Sequence, residues 1–541
     1  LTDDRTSDII VSLQKHFFRR IIMKKLYALL LVVIMLAASL VACNDNNTNS
    51  EPTDQSKGNE STASVGEASE AVSEPENTSC WLPEKKWNTT LTWATAYNEE
   101  DSTSDVRYYE IWCEEDLGDI VSQSVVERSR WLESEYGISI EMVYNPKDGV
   151  VSYAELCAES DMPLDVITGA AFAIAPTLEK GYFYDFKEIN AQYNDGKGWL
   201  RLDQDYWDQN SMRDYSFANR VFMLTGDICL YDDETTWAMF FNKGMAQEYG
   251  IESPYKTVKD GNWTIDLLHE YCKQVTMATG DKLTWVAEDH NKWGMVTQSF
   301  DCIMFMMGCG QSMVAKDTND LPYLRIDEQR NIDVAQKVVS MLIDENFVGV
   351  ADFYGFWSSG VYDVETQMFA NGDALFMPHS MAMLNSQKIK ESEVDIGVIP
   401  MPKADEIQED YSSSSNVYGL QMVAVPITNT ANLEATLYAL EAMAWYGQQY
   451  VTPQYYEKVL KLQKFRDEDA EEMLDLIFKN RTYDMAIAYN FSDMIQFYNK
   501  LLSGRTTDIV SKFDASRQAY QEAIDNAIAT FTQIGRASCR E

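Results

Sequence analysis

"TTWAMFFNKGMAQEYGIESPYKTVKDGNWTIDLLHEYCKQVT", residues 235–276, is the stretch that decides the fold class. It reads as a strand, a helix, a loop that contains a proline, and a second helix. Further strands and helices alternate on both sides of it. This alternation predicts an α/β fold in which the sheet is largely parallel.

Upstream of this stretch, "TLTWATAY" (residues 90–97) alternates apolar and polar residues and predicts a strand. Residues 120–137 place apolar side chains near helical spacing and stop at a glycine. "LDVITG" (residues 164–169) predicts a short strand, and residues 172–181 predict the helix that follows it. Ligands of α/β sheets bind beyond the C-terminal ends of strands, and Thr168 to Phe172 lie at one such end.

The alternation continues to the end of the chain. The segments that carry it are a strand at residues 220–227, two strands with polar loops at 373–386 and 394–403, a strand at 416–427, an amphipathic helix at 433–450 and the closing helices at 493–531.

The N-terminal part of the chain has the layout of a secretory signal peptide. Residues 23–42 contain a methionine, two lysines, about fifteen mostly apolar residues and then small residues. Leu40 to Cys43 resemble the bacterial lipobox, in which the thiol is diacylated and the peptide is cut before it. This resemblance implies a lipid anchor at Cys43 without a spanning helix. The alternative is an ordinary signal peptide with a chance cysteine.

Three further segments are predicted to lie outside the fold. Residues 43–80 hold small, polar and acidic residues with no aromatic, which predicts a disordered acidic tether. Residues 1–22 precede the methionine and are interpreted as translated upstream sequence. Residues 534–541, "IGRASCRE", resemble a translated sequencing-adapter tail.

The charge of the chain limits its partners. The 541 residues carry a formal net charge of -41, and such a field repels phosphate backbones, so we expect no nucleic-acid partner. With 45% hydrophobic residues the chain has ample material for a core and for two or more domains.

No residue pattern points to a metal or a cofactor. The cysteines between Cys80 and Cys309 show no C-x-x-C spacing. Two alternatives stay open for them: one or two disulfides formed after export, or buried free thiols. The histidines His269, His290 and His379 belong to no metal motif. The stretch that begins at Asp317 resembles the start of a calcium-binding loop, but it lacks the glycine expected at the sixth position. We therefore expect neither a metal nor a cofactor.

Four stretches in order carry a family resemblance. They are residues 240–275, residues 365–382 ("ETQMFANGDALFMPHSMA"), residues 395–406 ("DIGVIPMPKADE") and residues 501–527. Over residues 88–533 the chain resembles the extracellular solute-binding proteins of ABC importers, the maltose-binding-like family. The resemblance implies two α/β lobes of the type II periplasmic-binding-protein-like fold. Each lobe would have a mainly parallel sheet flanked by helices, with the ligand cleft between the lobes.

The resemblance also implies a division of the chain. The expected parts are lobe 1 at residues 81–226, lobe 2 at 227–402, a return to lobe 1 at 403–455, and C-terminal helices at 456–533 that complete lobe 2 and the cleft.

The ligand-binding residues implied by the resemblance follow predicted strands or lie on late segments. They are Gly169, Ala170, Ala171 and Phe172 in the first lobe, Gln298, Ser299, Phe300, His379, Ser380 and Met381 in the second, Tyr418 on the returning strand, and Phe497 or Tyr498 on a late helix. Thr168 to Ala171 depart from the pattern of maltose-type binders, which often place an aromatic or charged group there. Maltose specificity is therefore not transferred.

The many aromatic residues suit a sugar site, because flat rings stack on the apolar faces of pyranoses. Trp357 lies in a Gly- and Ser-containing stretch and is a candidate for the cleft. Trp237 is a candidate as well, although its position on a strand also suits the core. Trp445, on an amphipathic helix, suits the core in the same way. For His379 a structural role is the alternative to ligand binding.

Together these patterns predict a lipid-anchored, monomeric receptor on the outer surface of a Gram-positive bacterium. It would capture a carbohydrate or oligosaccharide and deliver it to the permease subunits of an ABC transporter by closing its lobes, without chemistry of its own. A surface glycan-processing enzyme is the rival from another class, and a solute sensor without a permease is a third reading.

Overall fold

The computed structural model describes residues 79–96, 110–144, 146, 149–286, 289–356, 359–457, 460, 465 and 467–537. Cys43, the signal peptide and nearly all of the predicted tether lie outside these ranges. None of the helices in the described ranges is long and apolar enough to cross a membrane.

Thirteen strands lie in the described ranges. In chain order they are β1 Thr89–Thr95, β2 Ile138–Tyr144, β3 Val166–Ala170, β4 Trp237–Asn242, β5 Trp293–Thr297, β6 Val314–Lys316, β7 Pro322–Leu324, β8 Val348–Val350, β9 Ala374–Ser380, β10 Ile396–Ile399, β11 Ser413–Ser414, β12 Gln421–Ala424 and β13 Arg481–Thr482.

The α-helices of the same ranges connect these strands. They are α1 Ile120–Tyr136, α2 Val150–Glu159, α3 Ala171–Ile174, α4 Phe186–Asn190, α5 Gln209–Tyr215, α6 Tyr231–Glu234, α7 Lys243–Glu248, α8 Pro254–Lys259, α9 Ile265–Val275, α10 Asp301–Gly308, α11 Gln329–Leu342, α12 Ser359–Ala370, α13 Gln387–Glu391, α14 Leu433–Tyr446, α15 Glu468–Lys479, α16 Met485–Tyr489, α17 Phe497–Ser503 and α18 Ile509–Ala537.

The first sheet has the order β12-β3-β1-β2. Strand β1 pairs in parallel with β2 and β3, and β12 closes the edge antiparallel to β3. The connecting helix α1 begins at Asp119, whose carboxylate accepts from the Val121 and Ser122 amides. It ends at Gly137, which has a φ of 64° and turns the chain directly into β2.

The second sheet has the order β10-β4-β9-β5-β8. Its pairings of β5 with β8 and β9 are parallel, and those of β4 with β9 and β10 are antiparallel. Residues 235–276 form β4 and three helices here. The side chain of Asn242 accepts from the Met245 amide to start α7, and Thr264 accepts from the Leu267 amide to start α9.

The chain leaves the first sheet after β3, builds the second sheet, and returns to the first through β12. On the return, Ser415 forms an antiparallel bridge with Thr236, next to the start of β4. The long helix α18 then places Phe531 against Phe217, with ring centroids 4.1 Å apart. Two sheets flanked by helices form the two-lobe α/β architecture. The chain passes between the sheets in the segments from β3 to β4 and from β10 to β12, which we call the crossing segments.

Three local predictions differ from the structure. The loop predicted within residues 235–276 contains the helix α8. Residues 220–227 form single bridges instead of a strand, because Leu224 alone exchanges backbone hydrogen bonds with Val423 of β12. Residues 172–181 form α3 followed by a 3-10 helix at Ala175–Lys180, in which Pro176 supplies no amide donor. The cysteines Cys157, Cys229, Cys272, Cys302 and Cys309 are buried free thiols.

Candidate functional site

The second-sheet edge, defined here as Gln298–Asp301 and His379–Met381, brings together the residues that follow β5 and the C-terminal end of β9. His379 and Ser380 were predicted to follow a strand, but they are the last two residues of β9. The two strands run in parallel, with Met295 beside Phe376, so they end side by side. Trp237 begins the antiparallel strand β4 opposite Ser380 and therefore lies at the same edge. The register thus places most of the second-lobe candidates in one wall.

The first-lobe candidates follow β3 and are held by backbone contacts. The amides of Ala171 and Phe172 donate to the carbonyls of Leu420 and Val417, at 2.9 and 3.3 Å. A Cβ at Gly169 would lie 2.8 Å from a Val150 methyl carbon, so this strand needs glycine to pack against α2. Ala170 is half-buried beside it.

Three aromatic rings from both lobes meet at the ends of these strands. The ring centroid of Tyr418 lies 4.6 Å from that of Phe172 and 5.6 Å from that of Phe300. We call Phe172, Tyr418 and Phe300 the aromatic triad. Tyr418 is 42% exposed although it contacts two rings, so a face of this group is open to solvent.

His379 is buried between aromatic rings in the wall of the second lobe. It stacks on Trp237 at 5.4 Å and meets the edge of Tyr362 at 5.5 Å. Its Nε2 lies 3.8 Å from a carboxylate oxygen of Glu365. Burial lowers the pKa of His379 to about 4, so the imidazole is neutral at physiological pH.

Asp301 and Glu365 lie fully buried behind this edge, and we call them the unpaired acidic cluster. Oδ2 of Asp301 accepts from the Thr297 hydroxyl at 2.7 Å and from the Gln298 amide at 3.3 Å. Burial raises the pKa of Asp301 to about 7. Burial and the neighbouring charges of Asp301 and Asp352 hold the pKa of Glu365 well above its usual range.

Much of the hydrogen-bonding capacity at this edge is not used by the described part of the protein. Buried polar groups in native structures nearly all have partners, so each exception needs a physical reason. The buried atoms without a hydrogen-bond partner are Nε1 of Trp237, Nε2 of Gln298, Oγ of Ser299, Oδ1 of Asp301, both carboxyl oxygens of Glu365 and Nε2 of His379.

The remaining predicted residues lie in other surroundings. Met381 is fully buried and donates its amide to the Thr236 carbonyl at 3.0 Å. Phe497 and Tyr498 are buried in the core, where Phe497 meets the rings of Phe513 and Tyr520. Trp357 lies outside the described residues.

Asp301, Tyr362 and Glu365 are not among the residues predicted from the sequence. A signal for Glu365 exists in the sequence, because it shares one face of α12 with the buried residues Val361 and Met368. A lone carboxylate on an apolar helix face indicates a buried acid.

A second group of buried acids lies where the crossing segments meet the C-terminal part of the chain. Arg481 on β13 contacts Asp208, Asp232 and Asp233 at 3.2, 3.1 and 2.8 Å. We call these four residues the paired acidic cluster. Burial raises the pKa of Asp232 to about 7 even though Arg481 opposes the shift. The Tyr483 hydroxyl donates to Asp208 at 2.8 Å.

A cavity of about 510 Å³ opens beside Arg481. Its lining includes Arg213, Tyr411, Ser412 and Lys479 and contains none of the predicted ligand residues. The cavity therefore lies apart from the second-sheet edge.

The profile of the family described as bacterial extracellular solute-binding protein matches residues 115–447, more than half of the chain. The chain belongs to this family. No functionally curated protein matches the chain by sequence.

Solved structures of sugar-binding proteins share the fold. The galacto-N-biose-/lacto-N-biose I-binding protein of an ABC transporter from Bifidobacterium longum is 13% identical, with a TM-score of 0.51 over 83% of this chain and 98% of that one. A sugar transporter from Rhizobium etli in an open conformation is 12% identical, with a TM-score of 0.53 over 81% and 99%. The two-lobe periplasmic-binding-protein-like fold is thereby established.

Proposed function

We propose that this protein captures a carbohydrate between its lobes and delivers it to an ABC transporter permease. The observation that carries the proposal is the aromatic triad, in which a ring from each lobe contacts the half-exposed ring of Tyr418. Flat rings bind the apolar faces of sugars, and polar groups around them fix the orientation of the ligand.

The unpartnered polar atoms of the second-sheet edge support a polyhydroxylated ligand. The side chains of Gln298 and Ser299 follow β5 within the same wall as Phe300. Each sugar hydroxyl both donates and accepts a hydrogen bond, so it can pair with amide, hydroxyl and carboxyl groups at once. The Bifidobacterium protein, whose structure holds lacto-N-biose, offers a parallel for a sugar in this fold.

Transport would proceed through a change of shape. The crossing segments would act as a hinge between lobe 1 (residues 81–226 and 403–455) and lobe 2 (residues 227–402 and 456–533). Closure on the solute would create the form that the permease recognises. A lipid on Cys43 and the acidic tether would hold the monomeric protein at the outer face of the membrane.

The competing function is that of a glycan-processing enzyme. One observation favours it: Asp301 and Glu365 are two carboxyl groups with raised pKa values near one wall, and glycoside hydrolysis uses a carboxyl pair. The family of the chain favours the receptor.

Thermal unfolding of the purified protein against mono- and oligosaccharides tests the proposal. A ligand at about 100 times its Kd adds roughly 2.7 kcal/mol of stability, which is a visible shift. We expect a shift with one sugar family and no product from that sugar. The absence of a shift with any sugar removes the carbohydrate assignment, and turnover removes the receptor.

The Tyr418→Ala variant localises the site. Tyr323 on β7 is a matched control because it is a similarly exposed tyrosine, 45% against 42%, and belongs to a hairpin outside the triad. We expect the sugar-induced shift to fall in Tyr418→Ala and to persist in Tyr323→Ala.

A further inference from the structure

The unpaired acidic cluster combines full burial with carboxyl oxygens that accept no hydrogen bond from the described residues. The carboxyl oxygens of Glu365 accept no hydrogen bond, and Oδ1 of Asp301 accepts none, within the described ranges. The group nearest to Glu365 that can carry positive charge is His379, at 3.8 Å. Because His379 is neutral at physiological pH, it supplies no counter-charge.

Every other titratable group recorded against the cluster is acidic or neutral. Asp352 follows β8, accepts from the Ser299 amide at 2.7 Å and adds a third carboxylate. Tyr362, on the same helix as Glu365, is a neutral phenol. None of the ion pairs recorded for the described residues joins a lysine or arginine to Asp301 or Glu365.

Two other buried acids do have a cation beside them. The fully buried Asp373 lies 3.1 Å from the ammonium of Lys292, and Asp232 lies 3.1 Å from the guanidinium of Arg481. Burying a carboxylate without a counter-charge is costly, which explains these pairs. The cluster of Asp301 and Glu365 is placed at the ligand wall and lacks such a partner.

Two neutral donors lie at the same edge. The Gln298 amide nitrogen and the Trp237 indole nitrogen are buried and have no hydrogen-bond partner at normal distance. The indole lies close enough to Asp301 to favour its ionised form. Together with the carboxyl oxygens, these donors match a solute that presents both a cationic nitrogen and hydroxyl groups.

We propose that the solute carries a protonated primary amine, as an amino sugar or a short oligomer of one does, and that Asp301 and Glu365 bind this ammonium. The inference rests on the proposed function, since it places the solute at the second-sheet edge. The ammonium supplies the counter-charge, and the hydroxyl groups pair with Gln298, Ser299 and Trp237.

Calorimetric titration with matched probes tests the inference. The probes are the glucosamine trisaccharide, its fully N-acetylated counterpart, which has the same backbone without the charge, and maltotriose. We expect the amine form to bind about tenfold or more tightly than the acetylated form, because one ammonium–carboxylate pair contributes at least roughly 1.4 kcal/mol.

Two variants of the cluster and one control locate the effect. Glu365→Gln and Asp301→Asn keep the side-chain shapes and should bring the two trisaccharides to within about twofold of each other. The control Asp363→Asn removes an exposed carboxylate of the same helix, one that pairs with Lys388, and should keep the preference. Unfolding temperatures measured on the same samples confirm that each variant is folded.

The pH dependence provides a second readout. In the free protein Asp301 has a pKa of about 7, so ammonium binding must displace its proton at lower pH. We expect affinity for the amine form to rise about tenfold between about pH 5 and pH 6, a range in which the sugar amine stays protonated, with proton release, and affinity for neutral sugars to stay level.

The outcomes separate the two proposals. Tight binding of neutral trisaccharides with no gain from the amine overturns the inference and leaves the carbohydrate receptor intact. Failure of every sugar, charged or neutral, overturns the proposed function itself. A preference for the amine that survives both Glu365→Gln and Asp301→Asn contradicts the assigned site.

Discussion

The paired and the unpaired acidic clusters bury carboxylates to a similar depth but treat them differently. In the paired cluster one guanidinium reaches three carboxylates within 3.2 Å. In the unpaired cluster the fully buried Glu365 has no hydrogen bond within the described residues. The first cluster joins a crossing segment to β13, and the second lies in the wall at the ends of β5 and β9.

This difference indicates that the paired acidic cluster stabilises the fold and that the unpaired acidic cluster contacts the solute. A buried charge with its partner in place is satisfied by the fold, whereas an unsatisfied polar group lowers stability and persists where function needs it. We therefore expect substitutions in the two clusters to affect stability in opposite directions.

Loss of the guanidinium is the largest expected effect. Arg481→Met leaves three carboxylates, two of them buried, without their cation and should destabilise the protein by about 3–5 kcal/mol. Protonation relieves the repulsion, so the loss should be smaller at about pH 5 than at pH 7.5. Urea unfolding measures both values. The control Lys479→Met, an exposed neighbour, should change stability by less than about 0.5 kcal/mol. An unchanged stability of Arg481→Met would sink the structural role of the paired cluster.

Stability of the ligand-free protein should fall as the pH rises. The folded-state pKa of Asp301 is about 7, while an unfolded aspartate titrates near about 3.9. Between these values the unfolded chain has released a proton that the folded protein retains. Asp301 therefore lowers stability by up to roughly 1.4 kcal/mol per pH unit through this window, and the loss levels off above about pH 7. Unfolding of the wild type and Asp301→Asn at several pH values checks this. Identical slopes for the two proteins would contradict the raised pKa.

Removal of the Tyr418 ring should weaken binding more than it weakens folding. Tyr418→Ala opens the contact between Phe172 and Phe300, and the loss of a stacking ring costs about 1.4 kcal/mol, which is tenfold in Kd. Because the ring is half-exposed, the unfolding temperature should change little. Calorimetric titration of Tyr418→Ala and Tyr323→Ala with the same sugar measures the contrast. Equal affinities would place the solute away from the aromatic triad.

The sequence predicts which residues lie at the edge of the second sheet better than it predicts which residues are buried behind that edge. The family resemblance identifies Gln298 to Phe300 and His379, and parallel pairing of β5 with β9 brings them together. Tertiary packing decides the rest. The pattern does not reveal that α12 turns Glu365 toward His379, and it does not distinguish the buried Phe497 from a cleft residue.

One variant tests the separation of fold from function most directly. Glu365→Gln replaces a buried, unpaired carboxyl group with a neutral amide of the same shape. At about pH 7.5 the ligand-free variant should unfold at a higher temperature than the wild type, since burial raises the pKa of Glu365 and so makes its ionisation cost more in the folded protein than in the unfolded chain. Its ligand-induced shift should be smaller, because the carboxylate no longer meets the solute. A gain in stability joined to a loss of binding supports the account. A variant that loses stability, or that binds the solute as the wild type does, would contradict it.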